Sequence, residues 1–378
     1  MEVPPDPEPS RKVLVVSQRN VAQTPANAVL YEFEDLIVEW ENAQLLEIES
    51  YHGSPVFDAR RTAYQGLRLL GSPASKALGA ASVGRELPLG STNYDLVFMI
   101  TSTAFDLFTL AELSSLRRRA KKIVVCVAET WPETTNRRKL RLEPWDLVDH
   151  IFVGVPSAAG SLADDLGREV RPLPLGVDTE IFGSVRSVDR PIAVVNPGRR
   201  SEGQHRQLLR VCDENDLWYH YDTIFGDMTV SAAEHRRSYV NLLARSHTAI
   251  CNYARFNNPE RIGGRRVVPY RVMEALGAGC RMIGSKIPDR AFHDVGLPEL
   301  DLPELALDPS FDEVFDVLKS AWSDCDRDAY RQLARDVLDW SHRWAAVLEA
   351  LDLPPTSLLT DRRKRISSNA ADTSHGTV

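Results

Sequence analysis

The chain has 378 residues, enough for two domains of ordinary size with a core each. Its 45 Lys and Arg stand against 53 Asp and Glu, a formal charge of −8 that argues against nonspecific nucleic-acid binding. The five cysteines (Cys126, Cys212, Cys251, Cys280, Cys325) include no CxxC pair, which argues against a disulfide frame and a metal site and reads as buried free thiols in a reducing compartment.

The chain opens on MEVPPDPEPS, with prolines and acids where a signal peptide carries basic and apolar regions. Residues 1–10 are expected to be disordered and the protein cytoplasmic, since no apolar run approaches the ~20 residues of a membrane span. Residues 12–16 (KVLVV) read as a buried parallel strand, followed by the loop Ser17-Gln18-Arg19-Asn20 and a helix over 28–43. Further strands are expected at 43–48, 95–101, 122–128 and 150–155, with a helical segment at 59–70. Alternation of strands and helices means a doubly wound parallel sheet, which binds ligands beyond the strands' carboxyl ends. Those ends carry Gln18, Arg19 and Asn20, then Ser102 and Thr103, then Glu129.

A second doubly wound sheet is expected from residue 192 onward. Its first strand, 192–196, runs into Pro197-Gly198-Arg199-Arg200-Ser201-Glu202-Gly203-Gln204-His205-Arg206. A strand at 217–223, a helix at 232–246 capped by Ser231, and a strand at 248–253 follow. Residues 255–269 form a polar loop with Gly263-Gly264, and five arginines lie between Arg255 and Arg271. Pro269 starts a helix whose apolar side is Val272, Met273 and Leu276, and Gly277 and Gly279 end it before a strand at 280–283. A helix N-terminus opening from such a loop suits phosphate, and Glu274, one turn in, suits the two hydroxyls of a ribose. Helices at 289–295 and 311–321, a short strand at 305–307 and a long helix at 328–351 complete the domain. The acids of Asp324-Cys325-Asp326 read as helix-start residues, not a metal site. Arg362-Arg363-Lys364-Arg365 reads as a solvated end, with contact to an anionic membrane as the alternative.

Tyr270-Arg271-Val272-Met273-Glu274-Ala275-Leu276-Gly277-Ala278-Gly279 resembles the donor-binding helix of the group 1 GT-B glycosyltransferases, a retaining, family-4-like group. Gly176-Val177-Asp178, with Phe182 after it, resembles that family's Asn-Gly-Val-Asp-x-x-x-Phe linker. Two ordered motifs carry more weight than either alone. The resemblance implies two Rossmann-like domains facing across a cleft. They are an acceptor-side domain at 11–175 and a nucleotide-sugar domain at 176–327, with a helix at 328–356 crossing back and a basic, disordered tail at 357–378.

It implies transfer of a sugar from a nucleoside-diphosphate donor to a glycan, lipid or small-molecule hydroxyl, with retention, in polysaccharide or glycoconjugate synthesis. No cofactor or essential metal and no nucleic-acid partner are expected. The donor residues are then Arg199, Gln204, Arg206, Arg266, Val267, Val268 and Glu274. Arg199, Arg206 and Glu129 are the catalytic candidates, and Gln18, Arg19, Asn20, Ser102, Thr103 and Glu129 face the acceptor. The sequence departs from the family at three places: Gln204 stands for a phosphate-binding lysine, Arg266 for a glutamate, and Glu129 near an expected histidine. The first two departures would compensate if Arg266 held phosphate. A catalytically silent partner in a glycan-assembly complex, or a sugar-nucleotide epimerase, are the alternatives. His150 is read as structural.

Overall fold

The computed structural model describes residues 11–20, 24–48, 92–107, 114–131, 137–141, 143–183, 189–222, 230–320 and 322–372, with scattered positions from 59 to 70. The helix expected over 59–70 and the tail at 1–10 lie largely or wholly outside them. Two units divide the chain: residues 1–173 with 345–361, and 174–344 with 362–378.

The first unit holds β1 (Val13–Ser17), α1 (Ala28–Glu41), β2 (Gln44–Glu47), β3 (Tyr94–Thr101), β4 (Ala120–Val127), β5 (His150–Val153), α2 (Ala159–Leu166) and β6 (Arg171–Pro172). The strands are parallel in the order β2-β1-β3-β4-β5-β6. β1 is buried along its whole length because helices cover both faces of such a sheet. α1 packs Phe33 edge-on against Phe98 of β3, their centroids 5.7 Å apart. His150 begins β5, at the edge opposite the ligand side, in keeping with a structural role.

The second unit holds β7 (Ile192–Asn196), α3 (Glu202–Glu214), β8 (Trp218–Tyr221), α4 (Ala232–Ala244), β9 (Ser246–Ile250), α5 (Tyr270–Ala278), β10 (Arg281–Ile283), α6 (Phe311–Lys319), α7 (Asp324–Leu338), α8 (Trp340–Ala350) and α9 (Ser357–Asp372), though residues 345–361 count with the first unit. Its four strands are parallel in the order β10-β9-β7-β8. The fold is thus α/β, with two doubly wound parallel sheets. α5 buries Val272, Met273, Ala275 and Leu276 in the core and ends where Gly279 takes φ 68°, a left-handed cap whose N–H returns to the helix carbonyls.

Three expectations are corrected. Residues 305–307 do not form a strand; a single bridge joins Gly284 to Glu304. The helix expected over 328–351 is two, α7 and α8, broken at Asp339. Val177 N–H donates to Leu338 O at 2.9 Å and Trp340 N–H to Val177 O at 3.2 Å, a strand-like pairing that the helix cannot span. Residues 357–372 are not a disordered tail but helix α9, which buries Arg362 and Ile366 one turn apart. Of the cysteines, Cys325 is exposed and the other four buried. Among the described residues no helix is long and apolar enough to cross a membrane.

Candidate functional site

In each sheet the strand order reverses direction at one point, between β1 and β3 and between β7 and β9. The carboxyl ends flanking such a point leave a crevice for ligands.

In the first unit this edge gathers the residues expected on the acceptor side. Glu129 N–H donates to Ser102 O at 2.9 Å, and Ser102 Oγ donates to Asn27 at 2.7 Å. Thr101 Oγ1 donates to Thr103 O at 3.0 Å, and Asn20 to Glu47 at 2.9 Å. Glu129 is exposed there. Arg19, however, is occupied: it contacts Glu34 at 3.1 Å and Asp35 at 2.7 Å and lies over the Tyr31 ring. Gln18 is buried, its carbonyl accepting from Tyr31 Oη at 3.3 Å. Glu34 is wholly buried, accepts from Ser17 Oγ and leaves Oε1 without a partner. Burial pushes its carboxyl up to about 8, against the pull of Ser17 and Arg19.

In the second unit the edge is built from the turn after β7, the loop after β9 and the start of α5. Gly198 takes φ 72°, and its N–H donates to both oxygens of Asp222, at 2.9 and 3.0 Å. Arg200 stacks over Tyr221 and donates to Asp222 O. Among the described residues the N–H groups of Val267, half-buried, and Val268, buried, meet no protein acceptor. Arg271, in the first turn of α5, donates to Ile250 O at 3.4 Å; a Cβ on Gly198 would meet its Nη2 at 3.0 Å. Its guanidinium therefore lies across the ends of β7 and β9. Sequence reading passed over this residue, although its place one turn before Glu274 was a usable signal.

The structure gives four expected donor residues these surroundings. Gln204 is fully buried: its Nε2 donates to Asn252, Leu305 O and Ala306 O, and its Oε1 accepts from Asn252 at 2.7 Å. Its amide is thus spent inside the unit. Arg206 is exposed, and two residues on from Gln204 it takes the opposite side of α3 from the buried Gln204, Leu208 and Val211. Arg266 lies over the Tyr253 ring at 5.1 Å and donates to Lys286 O at 3.2 Å. Glu274 is buried and its Oε1 accepts from Arg236 Nη1. Arg199 is exposed at the turn after β7. Asn252 ties the edge together, since its Oδ1 also accepts from Ser285 N–H at 2.9 Å.

The linker motif is structural. Asp178 accepts from the N–H groups of Glu180 and Ile181 and from Arg362 at 2.7 Å. Asp339 accepts from Arg362 at 2.5 Å and from Thr179 and Ser341. Burial alone would raise the Asp339 carboxyl, but Arg362 and these hydrogen bonds hold it below its ordinary value. The Asp-x-Asp acids are likewise spent: Asp326 forms a capping box with Ser323, and Asp324 pairs with Arg327 at 2.7 Å. Among the described residues no cluster of three His, Cys, Asp or Glu could hold a metal.

The fold defines a GT-B architecture, and known structures share it. HepE of Anabaena, solved with UDP-glucose, is 13% identical with a TM-score of 0.51, over 90% of this chain and 99% of that one. The N-terminal domain of Candida albicans trehalose-6-phosphate phosphatase is 11% identical with a TM-score of 0.52, over 90% of this chain and 97% of that one. At such identity the likeness is one of fold. No family model and no curated protein matches the sequence.

Proposed function

We propose that the protein transfers a sugar from a nucleoside-diphosphate donor to an acceptor hydroxyl, in glycan or glycoconjugate synthesis and with retention. What carries this reading is the second unit's switch point, where the N–H groups of Val267 and Val268 adjoin an α5 N-terminus that has Glu274 one turn inside. The fold is shared with HepE, whose structure contains UDP-glucose. In the reaction the anomeric carbon exchanges its bond to a diphosphate oxygen for one to the acceptor oxygen, and the acceptor's proton leaves with the diphosphate. Negative charge grows on the leaving diphosphate, so N–H groups and cations aimed at it lower the barrier. Glu274 keeps one oxygen on Arg236 and offers the other to the ribose. The acceptor side is the edge bearing Ser102, Thr103 and Glu129 in the first unit.

We also propose that no bound metal is needed, because the Asp-x-Asp acids cap a helix and pair with Arg327. A chelator should leave donor binding unchanged. Gln204 in the core and Arg266 on Tyr253 favour a second reading, a silent GT-B partner that binds the nucleotide without turnover. A panel of sugar nucleotides assayed by calorimetry and by release of free diphosphate separates the two. Binding with release supports transfer, binding alone supports the silent partner, and no binding to any member sinks both.

A further inference from the structure

We propose that Arg271 grips the donor diphosphate, supplying the cation that Gln204 does not. The inference rests on the donor reading above and deepens it.

Position is the first argument. The Arg271 guanidinium reaches the turn at Gly198, where a Cβ would come within 3.0 Å of Nη2, and Ile250 O at the end of β9. β7 and β9 flank the switch point of this sheet, so the cation sits at the mouth of the crevice where a ligand is held. Gly198, with φ 72° and no side chain, leaves that mouth open.

Charge is the second. Arg236 is neutralised by Glu274, and Arg200 is turned to Asp222 and the Tyr221 ring. Among the described residues no carboxylate pairs with Arg271, whose guanidinium makes a long hydrogen bond to a carbonyl, at 3.4 Å. It also stands in the first turn of α5, where the helix dipole disfavours a cation. An anion between Arg271 and the N–H groups of Val267 and Val268 answers both deficits, and two phosphate groups fit a planar fork better than one point charge would.

The test compares one nucleotide series, nucleoside, monophosphate and diphosphate, on wild type and on R271Q, which removes the charge and keeps a polar side chain. R271Q should lose about tenfold or more in affinity for the diphosphate, lose less for the monophosphate, and keep its affinity for the nucleoside, with an unchanged unfolding midpoint. Arg271→Lys keeps the charge without the planar fork and should lose less affinity for the diphosphate than R271Q does, again with the nucleoside unaffected. It serves if R271Q does not fold. Wild type binding the diphosphate while the folded variant binds it equally well, or loses all three ligands alike, overturns the role of Arg271 alone. Wild type binding no nucleoside diphosphate overturns the donor reading and this inference together.

Discussion

Arg236 of α4 and Glu274 of α5 form an ion pair inside the second unit, with side chains 7% and 9% exposed. Phe182 and Tyr239 lie under the guanidinium, at 5.2 and 5.9 Å from their centroids. Glu274, one turn inside α5, thus balances a buried cation, a role apart from the proposed one toward a ribose.

Glu274→Ala should therefore cost the fold as well as the ligand. Breaking a buried pair from one side leaves an uncompensated charge, at about 3–5 kcal/mol. Replacing both partners, as in R236M/E274M, should be milder than either single change. Urea unfolding of wild type, R236M, E274M and R236M/E274M gives the coupling directly, and strictly additive losses would show that the pair does not act as a unit.

Arg362 should be the anchor of α9. Its side chain is 3% exposed and contacts Asp178, Glu180 and Asp339. Arg362→Ala leaves the Asp339 carboxylate buried beside Thr179 and Ser341, so a loss of about 3–5 kcal/mol is expected. Hydrogen exchange should report faster opening of Ser357–Asp372. Unchanged protection there would show that Ile366 and Leu359 hold the helix alone.

Gln204→Lys introduces the lysine expected from the sequence resemblance, yet it should weaken the protein and leave phosphate binding no stronger. The site is 0% exposed and its amide is locked to Asn252, so an ammonium there would be buried without a counter-ion. A loss of about 2 kcal/mol or more is expected. A gain in nucleotide affinity by calorimetry, with stability intact, would contradict this placement. That gain would instead revive the expectation that Arg266 compensates for the missing lysine at position 204.

Glu34 should make stability depend on pH. Its folded value, about 8, lies above the ordinary value of 4.5, so the folded state holds a proton that the unfolded state releases. The contribution is full below the unfolded value and is lost as pH rises through about 8. Wild type should lose more stability than Glu34→Gln between about pH 5 and about pH 9, by ~1 kcal/mol or more. Parallel curves for the two proteins would mean that Arg19 keeps Glu34 ionised.

Much of the fold was legible because its signals are local. Buried parallel strands such as Val13–Ser17 and Ile192–Asn196 are continuous apolar runs, and α5 lies between a proline and a left-handed glycine, so composition along a few residues suffices. The Pro269 to Gly279 motif likewise marked the helix α5 at the carboxyl edge of the second sheet. What stayed hidden depends on partners distant in sequence. Glu274 meets Arg236 38 residues away, Gln204 meets Asn252 48 away, and Arg362 meets Asp178 184 away. Local pattern treats each of these polar residues as solvated, because burial of a charge or an amide is set by the partner that folding brings to it. The break at Asp339 has the same origin. Trp340, Trp344 and Leu348 keep helical spacing, and only the backbone of Val177, arriving from the linker, interrupts the helix. Tertiary structure alone could place Arg271 over Gly198, since an arginine's reach is long and its direction is decided by the neighbouring strand ends.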